Sequence, residues 1–281
     1  MNLSLTHAPI GVFDSGIGGL SVLKALRAEL PFENFIYIAD SAHAPYGERD
    51  EAHVIARSKA IAAHLVSKNI KALVIACNTA TAAAIHLLRA DYPDLPIIGV
   101  EPALKPAVAL SKTGRIGIMA TRSTLASAKF KALLASQAAQ ADFDLQPCDG
   151  LADAIERSAS TGDATEIIAL CVRHTRAMGR FGNKNGEIDT LVLGCTHYPF
   201  AREHLAAALP PGVQLVATGE AVARQTRRVI GRSEVAGGVD SSHQPALGEV
   251  SLFTTGAPET LQTAANRWLG LSANTVGPAL I

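Results

Sequence analysis

Along the chain, short continuous apolar runs alternate with longer stretches in which apolar residues recur every three or four positions. The runs are Ile10–Phe13, Phe35–Ala39, Ala72–Ala76, Pro96–Val100, Arg115–Met119, Thr190–Gly194, Val213–Ala217 and Ser251–Thr255. Continuous rather than alternating, they read as parallel strands covered on both faces. The periodic stretches predict helices over Leu20–Leu30, Asp50–Lys68, Ala80–Ala90, Thr124–Ala139, Asp163–Gly179, Arg202–Leu209, Glu220–Ile230 and Pro258–Leu269. In Asp50–Lys68, for example, Val54, Ile61 and Leu65 form one stripe and the basic residues lie elsewhere. Strand–helix alternation of this kind predicts an α/β fold with mostly parallel sheets flanked by helices. Two Gly-rich or polar stretches, Gly179–Gly186 and Gly231–Gly248, read as surface loops. Ligands of such sheets bind beyond the carboxyl ends of the strands, so the residues just after each run are where chemistry is expected.

Composition narrows the classes. A chain of 281 residues is long enough for two domains at roughly 100–200 residues each. Apolar residues make up 48% and charged residues 18%, which suits a large core and argues against disorder. The 25 basic and 25 acidic residues cancel, which argues against nucleic-acid or polybasic membrane partners. No apolar run reaches the roughly 18 residues of a membrane span. Met1–Pro9 lacks the cationic-then-apolar order of a secretory leader. A soluble, cytoplasmic protein is the expectation. Four cysteines, Cys77, Cys148, Cys171 and Cys195, with no C-x-x-C pair, predict neither a disulfide scaffold nor a structural zinc site. They are inert core residues or reactive thiols.

A weak internal repeat bears on that choice. The segment Leu73–Ala80 (LVIACNTA) and the segment Leu191–Tyr198 (LVLGCTHY) share one plan: four small or apolar strand residues, a cysteine, then amide or hydroxyl groups. A cysteine opening a helix has its thiolate favoured by the helix dipole. Two such cysteines at equivalent positions are not explained by packing, whereas Cys148 and Cys171 lack the context and read as structural. Upstream, Asp14-Ser15-Gly16-Ile17-Gly18-Gly19 follows the first strand. It lacks the third spaced glycine of a dinucleotide loop, and Asp14 would repel a phosphate. The turn instead exposes Asp14 and Ser15 beside the backbone N–H groups of a helix start, unless it is a plain N-cap. Asp40–Gly47 follows the next strand, where Tyr46 and nearby backbone groups are placed to grip a polar ligand. Paired thiols without a metal admit three uses: disulfide exchange, nucleophilic catalysis with one cysteine, or acid and base work on opposite faces of one carbon. The last suits two related halves.

The segments GVFDSGIGGLSVL, APYGER, VIACNTATA, GVEPALKPA and VLGCTHYPF resemble the glutamate racemases of the aspartate/glutamate racemase superfamily, over residues from about 8 to 230. The resemblance implies two similar α/β domains with the active site in the cleft between them: residues 1–97 plus 213–281 as the first, and 98–212 as the second. It implies cofactor-independent racemisation of L-glutamate to D-glutamate for peptidoglycan synthesis, with no metal. Cys77 would act on the D-enantiomer and Cys195 on the L-enantiomer. Asp14, Ser15, Tyr46, Gly47, Asn78, Thr79, Thr196 and His197 fall on the family's substrate-contact positions, and Asp14, His197 and Glu156 match groups that assist the thiols. The family also implies a homodimer and, in some members, activation by a cell-wall precursor. An aspartate or hydantoin racemase is the nearest rival. A two-domain binding protein that closes on an amino acid without chemistry is the rival from another class, and it leaves the paired cysteines unexplained.

Overall fold

The computed structural model describes residues 8–234, 246–271 and 276–281. Residues 1–7 and 235–245, which hold most of Met1–Pro9 and of the expected loop Gly231–Gly248, lie outside the described residues. Two parallel sheets dominate. The first contains β1 (Ile10–Asp14), β2 (Phe35–Ala39), β3 (Ala72–Ile75), β4 (Ile97–Gly99), β9 (Val250–Thr254) and β10 (Val276–Pro278), in the order β10-β9-β2-β1-β3-β4. The second contains β5 (Arg115–Ala120), β6 (Asp142–Pro147), β7 (Thr190–Leu193) and β8 (Gln214–Val216), in the order β6-β5-β7-β8. Every pairing between these strands is parallel. β1, with Ile10 opposite both Phe35 and Ala72, is central and buried along its whole length.

Helices on both sheet faces explain why the strand runs are continuously apolar. On one face of the first sheet Val12, Tyr37 and Val74 pack with Leu20 and Leu23 of α1 (Leu20–Glu29), Val222 of α10 (Gly219–Glu234) and Leu261 of α11 (Pro258–Leu269). On the other, Phe13, Ile38 and Leu73 meet Ile61 and Leu65 of α2 (Glu51–Ser67) and Leu88 of α3 (Asn78–Asp91). The second sheet repeats the plan. Met119 and Leu191 pack with Ile155 of α7 (Leu151–Thr161), Leu170 of α8 (Thr165–Ala177) and Leu205 of α9 (Arg202–Ala208). Ile116, Ile118 and Val192 pack with Leu104 of α4 (Leu104–Leu110) and with Phe130. Burying each such side chain stabilises the fold by about 1.5–3 kcal/mol. No described helix is long and apolar enough to cross a membrane.

All eight anticipated strands form. The stretch 124–139 differs from expectation: it breaks into α5 (Arg122–Ala126) and α6 (Ala128–Ala135). Ser127 is extended there, and its hydroxyl accepts the Phe130 N–H at 3.1 Å, capping a new helix. β6, β10, α4 and α7 were not anticipated. β6 is an edge strand with the polar residues Asp142, Asp144 and Gln146, so it carries no continuous apolar signal. Residues 98–99 end a strand of the first sheet, and 214–216 pair with β7 in the second. Strand pairing and not local apolarity thus decides to which sheet residues near 97 and 212 belong. The chain returns to the first lobe at α10, which packs on α1; a Cβ at Gly219 would stand 3.2 Å from Ala25 Cβ.

Candidate active site

Strand ends from both lobes meet at their shared boundary. β1 delivers Asp14 to full burial, where its Oδ2 accepts the Gly19 N–H at 2.6 Å and its Oδ1 has no partner. Burial raises the Asp14 pKa from 3.8 to about 6, against the lowering pull of His197 and the Gly19 N–H. β3 delivers Cys77, which is the N-cap of α3: its Sγ accepts the Ala80 N–H at 3.4 Å and lies 3.8 Å from Ser15 Oγ. The sequence expectation was a thiol acidified by its helix. Burial, reinforced by the neighbouring Asp14, instead pushes the Cys77 thiol well up, and the helix N–H offsets only part of this.

The second lobe supplies a different set. Cys195 follows β7, and its Sγ lies 3.7 Å from His197 Nδ1. His197 Nε2 meets Glu156 Oε1 of α7 at 2.6 Å, and the same oxygen accepts the Ile17 N–H of the first lobe at 2.8 Å. Burial alone would push the His197 pKa down, but its bonds to Cys195 and Glu156 and their negative charge carry it well above the ordinary imidazole value. The glycines of the first-lobe turn are now accounted for. A Cβ on Gly16 would run into the Glu156 carboxylate, and one on Gly18 into the His197 ring. The turn is bare so that the other lobe's relay can sit against it.

The remaining predicted residues line the same boundary. Ser15, Asn78, Thr79 and Thr196 are buried, and neither amide atom of Asn78 has a partner. The Thr196 carbonyl accepts from Ser21 Oγ at 2.7 Å across the lobes. Thr79 Oγ1 lies 3.3 Å from Thr121 Oγ1, and a Cβ on Gly47 would stand 2.9 Å from Thr121 Cγ2. The Tyr46 hydroxyl is held away from Cys77 by its bond to Asp40 Oδ2, to which it donates at 2.5 Å, which leaves the ring and backbone at the boundary. Asp40 also takes both arms of Arg57 at 2.9 Å and the Thr255 hydroxyl. Tyr46 thus shapes the wall beside Cys77, with which it shares a core cluster. Thr121, at the end of β5, went unnoticed in the sequence; its place after a strand, opening α5 as N-cap, was the available signal. Cys148 follows the unanticipated β6 and shares a core cluster with Cys195; burial pushes its thiol up. Two shallow recesses open along the lobe boundary, one touching Asn78 and the other Gly47, Thr121 and Cys148.

Two buried thiols, one beside a carboxylate and one in a thiol–imidazole–carboxylate relay, can donate and accept protons. The thiols are near enough that charge on Cys195 raises the Cys77 pKa. Comparison with known proteins bears on this chemistry. Residues 10–226 match the family model described as Asp/Glu/Hydantoin racemase. A glutamate racemase of Ectopseudomonas mendocina (strain ymp) is 48% identical over 234 residues, covering 83% of this chain and 86% of that one. The solved Escherichia coli glutamate racemase, in complex with L-glutamate and the activator UDP-MurNAc-ala, superposes with a TM-score of 0.81 at 30% identity, covering 96% of this chain and 98% of that one. The Francisella tularensis glutamate racemase in complex with D-glutamate gives a TM-score of 0.80 at 25% identity, covering 98% of each chain.

Proposed function

This chain belongs to the glutamate racemases within the Asp/Glu/hydantoin racemase family, and from that premise we propose that it inverts the α-carbon of glutamate with Cys77 and Cys195 working on opposite faces. The observation that carries the reading is the pair of buried thiols at corresponding strand ends of the two sheets, in electrostatic reach of each other. The His197 imidazole, carried well above its ordinary pKa by Cys195 and Glu156, stands 3.7 Å from the Cys195 sulfur, while burial keeps Cys77 a thiol. With its proton on Cys77, the pair is set for L-glutamate. The Cys195 thiolate takes the α-proton, and the Cys77 S–H gives its proton to the opposite face of the same carbon. The product is D-glutamate, with the negative charge now on the Cys77 sulfur; exchange with solvent resets the pair. The reverse reaction uses the same groups in the opposite order.

Substrate charge finds matching groups. The free Asp14 Oδ1 suits the ammonium, and the unpartnered Asn78 amide and the first turn of α3 suit the α-carboxylate. Ser15, Thr79, Thr121, Thr196 and the Gly47 backbone supply polar contacts for the rest of the molecule. The hard step is the weak acidity of the α-proton, eased by fixed donors in a site closed to water. D-glutamate made this way would serve cell-wall peptidoglycan synthesis, and a cell-wall precursor is the activator to test. The experiment is proton NMR in deuterated water with each enantiomer of glutamate, followed by chiral analysis. Loss of the α-proton with appearance of the other enantiomer is expected. Absence of exchange, with UDP-MurNAc-alanine present as well as absent, would sink the reading; exchange with aspartate or a hydantoin in its place would move the substrate to the rival classes.

A further inference from the structure

The Cys195 relay belongs to the second lobe, yet part of its support comes from the first. α11 packs chiefly on α1, β9, β10 and α7, so it is a first-lobe helix that reaches across to the helix bearing Glu156. Near its end Arg267 Nη1 donates to the Ser158 carbonyl at 3.2 Å, two residues beyond Glu156. The next residue, Trp268, stacks face to face on Phe200, with ring centroids 3.7 Å apart and planes 9° from parallel. Phe200 is part of the turn that carries the relay: its N–H donates to the His197 carbonyl at 3.0 Å, and the Tyr198 N–H to that of Cys195 at 3.2 Å. Phe200 and Trp268 each pack against a core cluster of both lobes. One end of α11 therefore touches both arms of the relay, the Glu156 helix and the Cys195–His197 turn. The α3 helix that opens at Cys77 is not among its main partners.

We propose that Arg267 and Trp268 are positioning residues that hold Cys195, His197 and Glu156 in register, so that a first-lobe helix sets the reactivity of a second-lobe thiol. Its consequence for turnover rests on the two-thiol reading above, but the geometry can be tested without substrate. The substrate-free full-length protein is treated with iodoacetamide, and alkylation rates at Cys195 and Cys77 are followed across neutral pH by peptide mass spectrometry. A shift of one unit in a titration midpoint changes the thiolate share about tenfold. In Trp268→Ala the Cys195-to-Cys77 rate ratio should fall about tenfold as the His197 ring loses its place beside the sulfur; Arg267→Ala should give about a threefold fall. Trp268→Phe, which keeps a stack, should restore the wild-type ratio. Looser lobe packing by itself exposes both thiols and leaves the ratio unchanged. An unchanged ratio in Trp268→Ala, or in Trp268→Leu should the alanine variant not fold, would overturn the proposal. If the ratio shifts but the wild-type protein exchanges no α-proton from glutamate, the two-thiol reading fails and the positioning role stands.

Discussion

The two thiol-bearing strand ends share one plan and differ in what surrounds the sulfur. Cys77 caps its helix, touches a serine and lies beside a carboxylate that is itself hard to ionise; burial dominates there and favours the neutral thiol. Cys195 has an imidazole at 3.7 Å, backed by a carboxylate at 2.6 Å, and for that imidazole the bonds outweigh the burial, so that it favours carrying a proton. A repeated backbone therefore carries two opposite proton environments. An inversion needs this difference, because one face must hold a base while the other holds an acid. The difference arises across the boundary as well as within each lobe: Glu156 is fixed partly by a first-lobe N–H at Ile17.

Removing either sulfur breaks the comparison most sharply. Cys77→Ser and Cys195→Ser should each cut racemisation by on the order of a thousandfold or more while leaving the fold intact, measured by circular dichroism of glutamate and by thermal melting. A single variant with wild-type turnover would show that its sulfur is not one of the two bases. The next effect is one-sided. His197→Asn should lower turnover about a hundredfold, and Glu156→Gln by less. Free enantiomers have equal energy, so kcat/KM must fall equally in both directions. The asymmetry is read instead in alkylation of the substrate-free enzyme, where Cys195 should slow and Cys77 should not. Equal slowing at both sulfurs would remove the distinction between the halves.

How much of this was legible in the residues differs between backbone and site. The continuous apolar runs identified eight strands, because a parallel strand buried on both faces leaves an unbroken signal. β6 and β10 escaped since edge strands need no such run, and Ser127 split a helix whose apolar spacing continued through it. The thiols and their neighbours are visible as a repeated pattern after strands, with His197 two positions past Cys195 and Asp14 after the first strand. What no local pattern could reveal was the pairing of partners far apart in the chain. Glu156 lies 41 positions from the imidazole it holds, and the Tyr46 hydroxyl is turned to Asp40 by a network that also uses Thr255. The acidity of Cys77 was misjudged for the same reason: a helix N-cap is read from adjacent residues, whereas burial is a property of the assembled lobes.

Glycines allow a finer cut at the boundary. Gly18→Ala drives a methyl into the His197 ring and Gly16→Ala one into the Glu156 carboxylate, so each should lower turnover about tenfold by displacing the relay. Gly231→Ala is the contrast. It sits on α10 with none of the described residues within 4 Å of where its Cβ would stand, and should add about 0.5–1 kcal/mol of stability by helix propensity with activity unchanged. Steady-state kinetics and melting curves on the three variants check both statements. Wild-type turnover in Gly16→Ala and Gly18→Ala would mean that the relay tolerates displacement, and that the bare turn serves packing alone.

The smallest effect separates two aspartates that end neighbouring strands. Asp14 closes β1 and Asp40 follows β2, and both are buried. Asp40 also suffers desolvation, but the hydrogen bonds from Arg57, Tyr46 and Thr255 outweigh it and hold its carboxyl below the usual range. Its stabilising contribution is therefore present above the unfolded-state pKa and lost as pH falls through the lower folded value. Asp14 has the opposite sign. Raised to about 6, it contributes stability that is full below its unfolded value and lost as pH rises through the folded one. The loss amounts to on the order of 3 kcal/mol at most. Catalysis runs the other way, since only the ionised carboxylate can take the substrate ammonium. The kcat/KM profile should accordingly fall on the acid side with a midpoint near 6. Asp14→Asn should erase that limb, lower the plateau and gain stability relative to the wild type as pH rises through the same interval. Asp40→Asn should lose stability above the carboxylate range and leave the limb in place. If the limb survives in Asp14→Asn, the titrating group lies elsewhere, and the Cys77 half owes its character to burial alone.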